Sequence, residues 1–444
     1  MSVTLPDSAS SMSTIIRPTL PLRLWRGLTH FGNPLLRAHL RSRVKRGKED
    51  QARLSERSGI TDAARPEGKL LWIHAASVGE SLSVLPLIHS VLAKGETLSV
   101  LITTGTVTSA KLLEDQLPPG ARHQYVPLDR VNSVRRFLDH WKPDAGIWVE
   151  SELWPTLLTE TKARGIPLAL VNARMSKKSA RGWKRLPKTA AQMLGSFNVI
   201  LAQDHITARR LTELGATQVL ELGNLKLSAD PLPTDEIALT ELQTRIGSRP
   251  VWVAASTHKE EEIVADAHKA ISETIHNVLT IIVPRQPRRF DAIEAELLEA
   301  GLTVARRSRG DTITEATQIY LADTMGEMGL FLRLGRVAFL GRSLIDKGGS
   351  NPLEPAQLDC AIVHGPHVDN FEALYDKLHV SKGALRVEDA STLGLAVAKL
   401  LNQEPLRQAN VTAALTLVAE AHEVLTETSK TVMSLLNPTP DTEQ

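Results

Sequence analysis

The sequence predicts an α/β protein made of two Rossmann-like, doubly wound parallel-sheet domains facing a central cleft. Three observations predict it. At 444 residues the chain exceeds what one hydrophobic core usually covers. From Lys69 onward short apolar runs alternate with helical patterns, which is how βα units read. A stretch containing Pro and Asp, Ser228 to Asp235, divides those runs into two sets. The expected boundaries are 1–66 for an N-terminal segment, 67–230 for the first domain and 231–444 for the second.

Residues 1–14 are polar and rich in Ser, are expected to be disordered, and lack the charged start and apolar centre of a secretion signal. Arg17, Arg23, Arg26, Arg37, Arg41, Arg43, Lys45, Arg46, Lys48, Arg53 and Arg57 follow, interleaved with Leu22, Leu24, Trp25, Leu28, Phe31, Leu35, Leu36 and Leu40. No apolar run reaches the roughly 18 to 20 residues that span a bilayer. A basic segment carrying Trp, Phe and Leu reads as one that lies on an anionic membrane surface. A solvated helix packed on the domain and a nucleic-acid contact are the alternatives; with a net charge of only +2, nucleic acid is not an expected partner.

Candidate strands of the first domain are Leu70 to His74, Leu98 to Thr103, Ala145 to Val149, Pro167 to Val171 and Val199 to Ala202. Those of the second are Val251 to Ala255, Leu279 to Val283, Gln318 to Leu321, Arg336 to Leu340 and Ala361 to Val363. A last helical pattern, about Leu406 to Leu436, either caps the second domain or crosses back to the first. The single cysteine, Cys360, excludes an internal disulfide framework and a Cys-based metal site.

The chemistry-bearing segments follow strands. After the first, Ala75-Ala76-Ser77-Val78-Gly79-Glu80 is a tight small-residue turn that sets Glu80 at the start of a helix, placed to take a proton from an incoming hydroxyl. The helix dipole alone also favours glutamate there, and it is expected to lower that carboxyl's pKa. Glu150-Ser151-Glu152-Leu153-Trp154-Pro155 ends another strand with two carboxylates, Glu150 being the better placed for the cleft, and Asn172-Ala173-Arg174-Met175-Ser176 ends the next. Lys226, near the linker, is a candidate to neutralise transition-state charge or is a solvated surface cation.

In the second domain Ser256 and Thr257 put hydroxyls at a strand-to-helix turn, and Pro284 and Arg285 end a strand with guanidinium groups nearby, which suit phosphate or carboxylate. Met325, Gly326 and Glu327 open a further helix. Gly348-Gly349-Ser350-Asn351-Pro352-Leu353-Glu354 reads as a glycine-rich turn into a helix with proline first and a carboxylate in its first turn. Such a turn leaves N–H groups at the positive end of a helix dipole for a phosphate, with Glu354 ready to accept from ribose hydroxyls. Capping alone also explains Gly, Ser, Asn and Pro at a helix start.

In order, these segments resemble the 3-deoxy-D-manno-octulosonic acid (Kdo) transferases of lipopolysaccharide inner-core assembly. The resemblance covers roughly Arg37 to Lys399: His74 to Glu80, Tyr125 to Asp129, Glu150 to Pro155, Asn172 to Ser176, Ser256 to Glu262, Pro284 to Phe290, Met325 to Glu327, Gly348 to Glu354, and Gly365-Pro366-His367 with Asn370-Phe371. It implies a GT-B glycosyltransferase with CMP-Kdo as donor and a tetraacyl lipid A precursor (lipid IVA) as acceptor, acting by inverting displacement on the cytoplasmic side of the inner membrane. It implies Glu80 as general base, with Glu150 and Lys226 stabilising the transition state. CMP binding falls to Pro284, Arg285, Met325, Gly326, Glu327, Asn351, Pro352, Leu353 and Glu354; Ser77, Ser256, Thr257, Gly349 and Ser350 are additional candidates. No cofactor and no metal are expected. The chain departs from the family at Ser350, usually histidine, at Arg342, usually glycine, and at Ala255, more often glycine. The serine is still expected to donate to a phosphate. Another GT-B sugar-nucleotide enzyme, a UDP-sugar transferase or an epimerase, is the second reading; donor protection by CMP but not UDP separates the two. A nucleotide-binding regulator with an inactive site is the third, and Glu80→Gln would leave its activity unchanged.

Overall fold

The computed structural model describes residues 18–31, 33–94, 97–228, 230–345 and 348–437. The expected disorder of residues 1–14 and the charge of Arg17 lie outside them, as do the side chains of residues 30–37. The chain divides into two compact units, one holding residues 1–229 and 421–444, the other residues 230–420.

The first unit carries seven strands: β1 (Lys69–His74), β2 (Leu98–Thr104), β3 (Ala121–Tyr125), β4 (Ala145–Val149), β5 (Leu168–Ala173), β6 (Val199–Ala202) and β7 (Val219–Glu221). They form one sheet, ordered β3-β2-β1-β4-β5-β6-β7, in which every pair is parallel. A parallel sheet buries both faces, so its strands read as nearly continuous apolar runs. One face holds Trp72, Phe137, Trp141, Trp148 and Leu170; the other holds Leu71, Ile73, Val84, Leu87, Ile147 and Val149. The rings of Trp72 and Trp148 meet edge-on at 4.7 Å, and the Trp72 Nε1–H donates to Thr103 Oγ1 at 2.9 Å, so the buried indole leaves no unpaired donor.

The second unit carries β8 (Val251–Thr257), β9 (Leu279–Pro284), β10 (Val304–Arg306), β11 (Ile319–Leu321), β12 (Val337–Leu340), β13 (Ala361–His364) and β14 (Ala384–Arg386). Their order is β10-β11-β9-β8-β12-β13-β14, again parallel throughout. Its core is Trp252, Val264, Ile271, Ile282, Phe339, Val363 and their neighbours.

The closing helix Glu404–Leu436 answers the question its sequence pattern left open. Its first half belongs to the second unit, where Val411 enters the core and Asn410 Oδ1 accepts from Ile362 N at 3.0 Å. From residue 421 it belongs to the first unit. There Val432, Leu435 and Leu436 enter the core, and the Leu436 carbonyl accepts from Lys69 Nζ at 2.7 Å.

The basic N-terminal segment is two helices, Leu20–Phe31 and Asn33–Lys45, followed by a 3-10 turn at Leu54–Ser58. Leu22 is buried in the first unit's core, Trp25 Nε1 donates to Asp129 Oδ2 at 2.7 Å, and Arg26 pairs with Glu160 at 3.0 Å. The opposite side shows Leu20, Leu24 and Leu28 to solvent at 66%, 59% and 71% exposure, a ridge at helical spacing. Part of the basic charge is not a surface feature. Arg43 and Arg57 both pair with Glu49, Arg53 pairs with Glu56, and the Arg53 and Arg57 guanidiniums lie 4.8 and 4.9 Å from the Tyr125 ring centroid. These three arginines fasten the segment to the fold. No helix among the described residues is long and apolar enough to cross a membrane.

Candidate active site

In an open α/β sheet, ligands bind beyond the carboxyl ends of the strands, where the strand order reverses. In the first unit that point lies between β1 and β4. Glu80 follows β1 and Glu150 follows β4.

Ser77 caps the helix Val78–Leu92: its Oγ accepts from Glu80 N at 3.3 Å and donates to Glu80 Oε1 at 2.8 Å, while Ala76 N donates to Oε2 at 2.8 Å. This variant of the capping box turns the carboxylate back over the end of β1 instead of out to water. Burial raises the Glu80 pKa; Ser77 and Ala76 pull it down, and the charges of Glu152 and Glu150 push it up. The helix dipole was expected to lower it. The capped carboxyl is 8% exposed, and loss of water outweighs the dipole.

Glu150 sits at φ +59°, one residue past β4. Its Oε1 and Lys226 Nζ form a close ion pair, the carboxylate side chain 15% exposed and the lysine 40%. The contact is not aligned as a hydrogen bond, so buried Oε1 has no hydrogen-bond donor among the described residues. Lys226 rides on the 3-10 turn Leu225–Leu227, which Asn172 fixes by accepting from Leu225 N at 3.0 Å. Glu152 accepts from Trp154 Nε1. Asp129, whose motif carried no assigned role in the sequence, caps the helix Pro155–Ala163 from a distance by accepting from Thr156 N and Leu157 N at 3.1 and 2.7 Å. It thereby joins Trp25 of the N-terminal helix to the turn after Glu150. Chain separation hid this role: a cap usually precedes its helix directly.

In the second unit the order reverses between β8 and β12. Ser256, in β8, and Arg342, after β12, have φ +58° and +63°, the left-handed region that favours glycine. A buried carboxylate bridges the two turns. Glu260 Oε1 accepts from Ser343 N at 3.0 Å and Leu344 N at 2.9 Å, and Oε2 from Arg342 N at 2.6 Å and His258 N at 3.2 Å. Burial raises its pKa while these four donors pull it back. Gly341 leaves room for it, because an added Cβ would stand 2.8 Å from Thr257 Cα and 2.9 Å from Glu260 Oε2. Sequence reasoning missed Glu260; among three consecutive glutamates nothing marks which one turns inward.

Thr257 Oγ1 donates to Glu261 Oε1 at 2.9 Å, and Glu261 pairs with Arg289 at 2.7 Å. Thr257 was expected to present its hydroxyl to an anion; this proton is directed to Glu261. Ser350, likewise expected to donate to a phosphate, donates to the Gly341 carbonyl at 3.1 Å. Glu327 is held by Arg307 at 2.6 Å and by Thr324, and Arg307 lowers its pKa. Beside it Met325 is 70% exposed and Gly326 has φ +87°.

The glycine turn is two left-handed residues, Gly348 and Gly349 at φ +76° and +71°; a Cβ on Gly348 would meet Asn370 Nδ2 at 2.6 Å. A helix with Pro352 at its first position was expected beyond the turn. Pro352 is instead the cap of a single turn, Leu353–Ala356, and the chain leaves it through left-handed Asp359. One turn sums few peptide dipoles, so positive charge in this region comes mainly from side chains. Arg285, exposed after β9, and Arg342 supply it. Burial and the charge of Arg285 lower the Arg342 pKa. Glu354 is raised by burial and lowered by Asn351, which donates to it at 3.3 Å, and by Arg285. The Tyr375 hydroxyl, pushed up by burial and by Glu354, donates to Ser350 O at 2.8 Å and props the turn from behind.

Two parallel sheets, each with its polar side chains gathered where the strand order reverses, define the GT-B class. A crystal structure of a glycosyltransferase from Rickettsia africae shares this fold at TM-score 0.55 and 10% identity, covering 84% of this chain and 99% of that one. The family model "3-Deoxy-D-manno-octulosonic-acid transferase (kdotransferase)" matches residues 52–229. The chain is 33% identical over 373 residues to the 3-deoxy-D-manno-octulosonic acid transferase of Rickettsia bellii, covering 84% of this chain and 89% of that protein. It is 36% identical over 360 residues to a probable mitochondrial 3-deoxy-D-manno-octulosonic acid transferase of Arabidopsis thaliana, covering 79% of this chain and 80% of that one. The chain belongs to the Kdo transferase family and is a glycosyltransferase.

Proposed function

We propose that the protein moves Kdo from CMP-Kdo to a lipid A precursor by direct inverting displacement. The observation that carries this reading is Glu80, a buried carboxyl with a raised pKa, fixed by two hydrogen bonds at the end of β1. Two of its lone-pair positions are engaged and the others are free to accept a proton. Glu80 takes the proton of the acceptor hydroxyl as that oxygen bonds to the anomeric carbon of Kdo. The bond from that carbon to the phosphate oxygen breaks, and CMP leaves with its electron pair. Attack opposite the leaving group inverts the anomeric centre.

Glu150 and Lys226 form an ion pair on the first unit. In this mechanism the carboxylate faces the positive charge that develops at the anomeric carbon and the ammonium faces negative charge on the sugar or leaving group. On the second unit, Pro284 and Arg285, Met325 to Glu327 and Asn351 to Glu354 hold CMP, with Arg285 on the phosphate and Glu354 on ribose hydroxyls. The ridge Leu20, Leu24 and Leu28, flanked by basic residues, keeps the enzyme on the anionic face of the inner membrane, on the cytoplasmic side.

The test is transfer of labelled sugar from freshly generated CMP-Kdo to tetraacyl lipid A precursor by wild type and Glu80→Gln, with products read by mass. The expected result is product from wild type and a loss of turnover on the order of 10²- to 10⁴-fold in the variant, with CMP affinity kept. Full turnover by Glu80→Gln removes Glu80 as the base.

A further inference from the structure

Asn172 lies beside the ion pair, on the neighbouring strand. The register of β4 and β5 sets Val149 opposite Val171, so Glu150 and Asn172 are the next residue on each strand. Both leave the strand conformation together, at φ +59° and +51°, and the backbones stay joined where Glu150 N donates to Val171 O at 3.0 Å. Asparagine is among the few side chains that tolerate this backbone well.

The Asn172 side chain is 3% exposed, and the two ends of its amide are treated differently. Oδ1 accepts from Leu225 N and so holds the turn that carries Lys226. Nδ2 is buried with no hydrogen-bond acceptor among the described residues. Buried amide donors are rarely left this way, since the group gives up water and gains nothing. Just past the adjacent strand, Glu150 Oε1 is a buried acceptor with no hydrogen-bond donor among the described residues, facing the poorly aligned Lys226 ammonium.

A lysine that swings toward negative charge on a substrate must let go of its carboxylate, and a buried carboxylate released without another donor is strongly disfavoured. We propose that Asn172 is a positioning residue that sets Lys226 through Oδ1 and, when Lys226 turns to the substrate, gives Glu150 Oε1 the Nδ2–H bond it would otherwise lack. This rests on the reading above, in which Glu150 and Lys226 act in transfer. Asn172 does not touch substrate; it lets the ion pair open without stranding a charge.

The experiment compares Asn172→Asp, which keeps the acceptor for Leu225 N and removes the donor, with Lys226→Ala and the double variant, in CMP-Kdo transfer to tetraacyl lipid A precursor. Expected for Asn172→Asp is a fall in kcat on the order of 10- to 100-fold, as for a misplaced catalytic group, with KM for CMP-Kdo within about twofold. Adding Asn172→Asp to Lys226→Ala should bring little further loss, because the exchange needs the lysine. Asn172→Gly, which suits the left-handed backbone but lacks the amide, should lose kcat as well and melt below wild type, since buried Leu225 N loses its acceptor. Wild-type kcat in Asn172→Asp, or a full additional loss in the Lys226→Ala background, overturns the exchange. Unchanged kcat in Lys226→Ala itself would instead remove the reading on which it rests.

Discussion

Replacing Glu260 by glutamine keeps the side chain's size and removes its charge, which tests what holds the turns after β8 and β12 together. In the wild type each carboxylate oxygen accepts two backbone N–H bonds. With every oxygen facing donors, a proton on either would set O–H against N–H, so the anion is the form that fits. Glutamine offers one carbonyl oxygen to one pair of donors and turns its own NH2 toward the other pair. Two buried N–H groups then lack an acceptor, each costing about 1 to 3 kcal/mol, and relief from burying a charge offsets part of that. The expected net loss is about 3 kcal/mol, or roughly 6 to 12 °C in the melting of the second unit. Thermal and urea unfolding, with CMP binding by calorimetry, are the assays. Loosening of Arg342 to Leu344 should weaken CMP more than about tenfold, a change of roughly 1.4 kcal/mol. A variant within 1 kcal/mol of wild type that binds CMP normally would refute the account of Glu260 as the fastening between β8 and β12.

Leu24→Glu with Leu28→Glu should release the protein from anionic vesicles in a flotation assay, with folding intact, because both side chains face solvent. Asp129→Ala should cost the first unit about 2 to 3 kcal/mol in urea unfolding, since Thr156 N, Leu157 N and Trp25 Nε1 lose one acceptor together. Acid should destabilise the protein: burial lowers His74, His268 and His364 to about 4. Below about pH 6.5 the unfolded chain takes up protons that these folded imidazoles refuse until near 4, so their stabilisation is lost as pH falls through that window, by about 2 kcal/mol per histidine at pH 5. Carboxyls raised by burial, Glu80 and Glu260 among them, act in the opposite sense; urea midpoints at pH 7 and 5 give the balance, expected to be a net loss.

All ten strands expected from the sequence are present, their ends shifted by at most two residues. The four unforeseen strands, β3, β7, β10 and β14, are the four sheet edges. An edge strand pairs on one side only, so it can be short and polar: Val304–Arg306 and Ala384–Arg386 are three residues each, too few for an apolar run to register. Candidate site residues were legible because strand-to-helix turns are local. The place of Glu80 at the start of the helix after β1 could be read from the ten residues around it. The direction of its pKa could not, because it comes from burial in the assembled turn and from the charges of Glu152 and Glu150, far away in the chain. For the same reason Arg43, Arg53 and Arg57 read as free surface charge although Glu49, Glu56 and Tyr125 hold them.

The closing helix also sets the order in which the molecule can be finished. Val432, Leu435 and Leu436 fill a face of the first sheet, and Ser429 Oγ accepts from Ser90 Oγ at 3.1 Å and Lys94 Nζ at 3.0 Å. As the chain leaves the ribosome, the second unit has all its residues by Glu420, while the first, though made earlier, still lacks part of its core. A nascent or prematurely terminated chain ending near residue 420 would expose the apolar face beneath Leu71, Val84 and Leu87. Proteases and chaperones would therefore meet a chain whose newer half is complete and whose older half is open.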